Sequence, residues 1–204
     1  MVERISIMLI QQNVPQGMKT PVPAGQYITT KMPVMQRGLA PRASITDWKL
    51  EIFGLVERDF SLSWDDFQGY TMQAEEADFH CVTQWSRLNV AWEGVLASTI
   101  INYARPKLEA RFVMLHCADG YTTNLDIDVM QAADVLFATK MDGQALAPNH
   151  GYPVRVIVPQ RYGWKSAKWV TGVELMANDR PGFWEMNGYH MRGDPRREER
   201  FSST

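Results

Sequence analysis

Two of the four histidines in the chain are followed directly by its two cysteines, at His80-Cys81 and His116-Cys117. Together these dipeptides hold the residue set of a Cys2His2 zinc site. Neighbours on a strand point to opposite faces, so both members of one dipeptide reach a single ion only where the backbone bends. Neither pair has the Cys-x2-4-Cys or His-x3-5-His spacing of a zinc motif. A buried thiol without chemistry is the usual fate of cysteine, and Cys117 fits that description. Cys81 differs, because Val82 to Arg87 includes Thr83, Gln84, Ser86 and Arg87. This polar cluster ends an apolar approach, where a thiolate can be stabilised and reached.

Two further stretches concentrate positive charge in apolar surroundings. In "HGYPVRVIVP", His150 to Pro159, Val154, Val156 and Val158 share one strand face and Arg155 and Ile157 the other. A guanidinium inside so apolar a strand needs an anion, either an internal carboxylate or a bound group. In "RYGWKSAKW", Arg161, Lys165 and Lys168 fall within eight residues, with Gly163 for close backbone approach and Ser166 as a hydroxyl donor. Such a loop suits phosphate. A solvated basic turn is the plainer alternative, and the flanking Trp164 and Trp169 speak against it.

The elements that must position these groups follow from periodicity. Residues 11–46 carry Pro15, Pro21, Pro23, Pro33 and Pro41 with Gly17, Gly25 and Gly38, which excludes long helices and predicts an extended arm over residues 1–46, packed on a single domain of residues 47–204. Trp48, Leu50 and Ile52 alternate with Lys49 and Glu51, a half-buried strand ending at Gly54. Leu96, Ile100, Tyr103 and Ala104 recur at helical spacing until Pro106. Arg111 to Cys117, the Asp119-Gly120 turn and Tyr121 to Leu125 form a hairpin. Val135 to Met141, Val154 to Val158 and Trp169 to Met176 read as further strands. The sum is an α+β domain, mixed and richer in strand than helix.

Composition excludes several function classes. A chain of 204 residues with 45% hydrophobic and 22% charged residues is an ordinary globular protein, and a net charge of −2 offers no basic field for nucleic acid. The apolar run Ile5 to Ile10 is far short of the roughly 20 residues of a membrane span, and Glu3-Arg4 ahead of it does not make a secretory signal. Two cysteines cannot make a disulfide scaffold, so a reduced, cytoplasmic thiol is expected.

Taken together, "FHCVTQWSRLNVAWEGV", "HGYPVRVIVP" and "YGWKSAKW" resemble the small single-domain members of the sulfite oxidase-like family of molybdopterin-dependent oxidoreductases. The tail "DRPGFWEMNGYHMRGDPRREERF" and the "MPVMQRG" segment are similar to the same subgroup. The resemblance implies a sulfite oxidase-type molybdopterin-binding fold in which Cys81 ligates molybdenum. It implies that His150 and Arg155 bind the pyranopterin and that Ser166, Ala167 and Lys168 hold its terminal phosphate. A further pterin contact falls at or near His116, and an arm contact near Met35 and Gln36. Arg87 is the basic residue that can be assigned to a substrate anion.

The implied activity is two-electron oxygen-atom transfer on a small molecule, either oxidation of a sulfite-type oxyanion or reduction of an S- or N-oxide. Molybdenum in high oxidation states takes sulfur donors, which answers what the Cys81 thiol is for. With no room for the haem domain of larger relatives, electrons are expected to pass to a separate partner. The alternative is a non-catalytic cofactor-binding or interaction module that keeps the fold. A module without the metal would have no use for the thiolate.

Overall fold

A computed structural model describes residues 22–42 and 44–203. The run Ile5 to Ile10 and the part of the arm from Pro15 to Pro21 lie outside the described residues. Within the arm, β1 (Tyr27–Ile28) is followed by extended chain up to β2 (Lys49–Gly54). Next come β3 (Phe60–Ser63), α1 (Trp64–Gln68), β4 (Met72–His80), β5 (Trp85–Leu96) and α2 (Ala97–Ala104). The hairpin β6 (Phe112–Cys117) and β7 (Thr122–Asp126) leads through α3 (Ile127–Met130) to β8 (Leu136–Met141) and β9 (Gln144–Ala145). The chain closes with β10 (Arg155–Ile157), β11 (Val170–Met176) and α4 (Phe183–Met186).

Two mixed sheets result. One is built on β5, which pairs antiparallel with β4 and β8 and parallel with β1, while β8 continues to β10 and β9. The other runs β3-β2-β11-β6-β7, with β2 and β11 parallel. Leu50, Ile52, Val113 and Val173 of the second sheet share one buried cluster with Val95, Phe137 and Val156 of the first. Each such side chain contributes about 1.5–3 kcal/mol when fully buried.

Helix α2 fits between them through Ala97, Ile100, Ile101 and Ala104, spaced as one helix face demands. Arg105, in the left-handed conformation (φ 54°), and Pro106 end it. Tyr103, expected on that apolar face, lies outside it at 48% exposure and packs edge-on against Phe60 beneath Arg58. The long β4–β5 hairpin was not delineated by periodicity. β4 reads MQAEEADFH and is mostly solvent-facing until Phe79 and His80, so no alternation announces it.

Candidate active site

β4 delivers its last residues, Phe79 and His80, into the interior and then turns at Cys81–Gln84 before β5 begins, with Gln84 at φ 71°. The Cys81 amide donates to the Trp85 carbonyl (2.8 Å), closing the turn. The thiol is 6% exposed and lies 3.1 Å from the Thr83 hydroxyl. Burial pushes its pKa above the ordinary thiol value, while Thr83 and Arg200 pull the other way. His80, buried against Ser86 (Nδ1 to Oγ 2.8 Å), is held neutral, burial lowering its pKa to about 4.

A cavity of about 260 Å³ opens beside this turn. Cys81, His150, Arg155, Ser166, Ala167 and Lys168 all line it, joined by Met35 and Gln36 of the arm. Gly151 brings the first two cationic positions together: at φ 107°, its hypothetical Cβ would stand 2.9 Å from Arg155 Cβ and 3.2 Å from Lys168 Cβ. Only a glycine accommodates that close approach without strain.

Arg155 is 3% exposed and has no carboxylate partner among the described residues. Its guanidinium donates to the backbone carbonyls of His150 (3.2 Å) and Ser166 (3.0 Å) and lies 5.4 Å from the ring centroids of both Phe79 and Trp92. Its Nε is buried with no acceptor, as is the indole Nε1 of Trp85, which also lines the cavity. Burial lowers the Arg155 pKa to about 9, which still leaves it charged at neutral pH. Lys168 donates to the Asn149 carbonyl (2.8 Å) and to Gln36 Oε1 (3.3 Å). Burial, and then the neighbouring Arg155, bring its pKa down to about 7. Among the described residues no internal carboxylate answers the Arg155 charge.

Several residues singled out from the sequence stand elsewhere. His116 does not line the cavity; it lies on β6, its Nε2 2.9 Å from Glu174 Oε2, which Arg180 also engages, and its ring beside Phe53. The hairpin turn just beyond reaches the cavity instead, through Asp119 and Tyr121. Arg87 is likewise absent from the lining and pairs with Asp142. Of the three cations in the basic loop, only Lys168 faces the cavity. Lys165 turns into the core, fully buried, with Glu185 Oε1 at 2.6 Å and Asn124 Oδ1 at 2.7 Å, and Arg161 lines a separate depression with Asn124 and His190. The zinc reading finds no support. His80 ends a strand of one sheet and His116 lies in the other, and no group of three or more His, Cys, Asp or Glu converges among the described residues. Cys117 sits in the main core, its pKa pushed well up by burial.

Sequence reasoning missed the aromatic wall. Trp164, Trp184 and Tyr189 border the cavity, Trp164 and Tyr189 meeting edge-on at 4.9 Å and Trp184 stacking on Tyr189 at 5.0 Å. Glu185 Oε1 accepts from Trp164 Nε1 (2.8 Å) and fixes that indole. The one available signal was the density of aromatics in the 183–189 tail. The wall approaches Gly163, whose hypothetical Cβ would fall 2.5 Å from the Phe79 ring. Gly163→Ala should therefore push Phe79 off Trp85 and cost about 1–3 kcal/mol by overpacking, read as a lower chemical-denaturation midpoint at unchanged m-value.

A buried thiol, a guanidinium with no carboxylate partner among the described residues and a lysine line one cavity, a set of groups that could hold an anionic cofactor carrying a thiophilic metal. The chain belongs to the oxidoreductase molybdopterin-binding domain family, whose model matches residues 37–184. The uncharacterised oxidoreductase YuiH of Bacillus subtilis is 44% identical over 182 residues, 89% of this chain and 92% of that protein. The protein-methionine-sulfoxide reductase catalytic subunit MsrP of Campylobacter jejuni is 30% identical over 170 residues, 72% of this chain and 55% of that protein. Among solved structures, the sulfane dehydrogenase SoxCD from Paracoccus pantotrophus shares the fold, with a TM-score of 0.67 and 22% identity over 82% of this chain and 50% of the matched chain. The chain thus spans nearly all of one relative and about half of the others. Its strand-rich α+β architecture and its molybdenum–molybdopterin cofactor are those of the family. No helix among the described residues is long and apolar enough to cross a membrane.

Proposed function

We propose that the chain catalyses two-electron oxygen-atom transfer at a molybdenum–molybdopterin centre, with Cys81 as the protein ligand to the metal and a neutral S-oxide or N-oxide as the small substrate to be reduced. The observation that carries the cofactor assignment is Arg155, a buried guanidinium whose hydrogen bonds among the described residues are to backbone carbonyls. When bound, the cofactor supplies the two-electron redox chemistry.

The chain's own residues bind and orient. Arg155 and His150 would hold the pterin, and Ser166, Ala167 and Lys168 would hold the phosphate. His116, held by Glu174, is not assigned to the cofactor, and Asp119 would supply the contact from that hairpin. Arg87, neutralised by Asp142, is not assigned to substrate. Reduction of an S-oxide breaks the S–O bond, consumes two electrons from a separate redox partner and two protons, and releases water. Tyr189 lines the cavity, and its hydroxyl is the group we assign to donate a hydrogen bond to the substrate oxygen.

The character of the cavity wall supports reduction of a neutral oxide. Of the cations that line the cavity, Arg155 and Lys168 are assigned to the cofactor and Arg37 donates to the Asp119 carbonyl (2.9 Å). The wall formed by Trp164, Trp184 and Tyr189 is aromatic and uncharged, a surface suited to a neutral sulfur or nitrogen compound. Both cysteines are free and buried, which supports action in the reducing cytoplasm.

The test is metal analysis of the purified protein followed by paired assays: S- and N-oxide reduction with a reduced viologen dye, and sulfite oxidation with ferricyanide. Faster turnover on the oxides is expected. Faster turnover on sulfite would reverse the direction, and full molybdenum loading without turnover on either would establish the non-catalytic module.

Removing one charge at the phosphate end tests the cofactor assignment. Lys168→Ala should weaken retention by one charge-assisted contact, on the order of 1.5 to 3 kcal/mol, so that molybdenum per protein falls while any retained centre has a normal spectrum. The same residue sets a pH dependence. Its folded pKa of about 7 lies below the unfolded value, so the charged form burdens the cofactor-free fold below pH 7, and that burden fades as pH rises from about 7 towards 10.5. Affinity for the anionic cofactor should therefore fall above pH 7 in the wild type, and less so in Lys168→Ala.

A further inference from the structure

The turn that carries Cys81 is gripped from outside by three separate segments. The His80 carbonyl accepts from the Gly163 amide (2.7 Å), the Cys81 carbonyl from Gln26 Nε2 (3.0 Å) and the Gln84 carbonyl from the Tyr27 amide (2.9 Å). The Val82 carbonyl, immediately after the cysteine, accepts from Arg200 (2.9 Å), 118 residues further along the chain. The other guanidinium nitrogen of Arg200 donates to the Ala24 carbonyl (3.0 Å), and its plane lies over the Tyr162 ring at 5.2 Å. One side chain thereby ties the arm and the tail to the cysteine turn. Its backbone is fixed as well, the Arg200 carbonyl accepting from the His190 amide (3.2 Å) next to the Tyr189–Phe201 bridge.

Both of these hydrogen bonds go to backbone carbonyls, and among the described residues no carboxylate forms a salt bridge with the guanidinium. A clamp of this kind could be built from a neutral donor. A cation hydrogen-bonded one residue from the sulfur ligand, with the Glu198 carboxylate on its far side by Gly25, also acts at a distance through its field.

We propose that Arg200 is a positioning residue for the centre at Cys81, fixing the Val82 carbonyl and placing a positive charge that favours the reduced state of the metal. The inference rests on Cys81 being the ligand. A cation beside a redox centre disfavours the more positive, oxidised form, so removing it lowers the reduction potential.

The experiment compares wild-type holoenzyme with Arg200→Gln, Arg200→Lys and, as a tail control, Arg197→Gln, whose residue is exposed. Molybdenum content, the visible sulfur-to-metal charge-transfer band, melting temperature and the one-electron midpoint potential are read for each. Arg200→Gln should shift the oxidised-to-reduced ratio at fixed potential about tenfold, which for a one-electron couple is about 59 mV to the negative side, and should move the band. Arg200→Lys should restore the potential even where it melts lower, and Arg197→Gln should change neither. If Arg200→Gln melts lower with potential and band unchanged, Arg200 is only a structural clamp and the proposal falls. Should Arg200→Gln fail to retain metal, Arg200→Lys decides: a wild-type potential supports the role of charge, and a tenfold shift overturns it. Cys81→Ser in the same series keeps the two readings apart, because a wild-type band in that variant would remove the ligand assignment whatever Arg200 does.

Discussion

Cys81→Ser is expected to abolish turnover and erase the sulfur-to-metal charge-transfer band while leaving the fold intact. The side chain is nearly isosteric and sits in a turn closed by backbone hydrogen bonds, from the Cys81 amide to the Trp85 carbonyl and from the Gln84 amide to the Cys81 carbonyl. Neither bond involves the sulfur. Oxygen is a poorer donor than thiolate to a metal that favours sulfur, so the loss falls on the electronic structure of the centre. Burial keeps the free thiol protonated at neutral pH, and coordination must displace that proton. Cys117→Ser is the control. That thiol lies in the main core and outside the cavity, so its replacement should cost stability and leave the spectrum unchanged. Circular dichroism, metal content and the visible spectrum of both variants check the pair, and loss of the band in Cys117→Ser alone would refute the assignment.

What was legible in the sequence was whatever a local pattern encodes. Alternation marked β2, the Asp119-Gly120 turn marked the β6–β7 hairpin, and Pro106 marked the end of α2. The need of Arg155 for an anion was also local, because a charge in a run of valines is anomalous wherever the strand lies. Direction was not encoded. Lys165 and Lys168 are three residues apart in one loop, yet one is sealed against Glu185 and Asn124 and the other lines the cavity. That choice depends on Glu185, which reaches the loop from the tail, and so on tertiary contacts that spacing cannot show. His116 fails for a similar reason: the strand's alternation gives its side chain to Glu174 on β11, and the hairpin's reach into the cavity begins only at the turn. The β4–β5 hairpin escaped because β4 is exposed or half-buried without alternation, and full burial is confined to the two residues that lead into Cys81.

Arg155→Met should reduce cofactor affinity by about 3 kcal/mol or more, more than a hundredfold, since two or more charge-assisted contacts disappear together. Its effect on the cofactor-free protein has the opposite sign. There the guanidinium is buried, bonded among the described residues to carbonyls and left with an orphan Nε; a side chain of similar length and no charge relieves that penalty and still packs between Phe79 and Trp92. Wild-type apo-protein should consequently melt well below the holo form, because the cofactor both compensates the cation and stabilises by mass action. In Arg155→Met the apo form should melt closer to, or above, wild-type apo, and the gap between apo and holo should shrink. Four melting temperatures, with and without cofactor for each protein, check this. Equal destabilisation of both forms would mean that Arg155 acts as a structural cation within the fold, and the buried charge would then have to be explained without the cofactor.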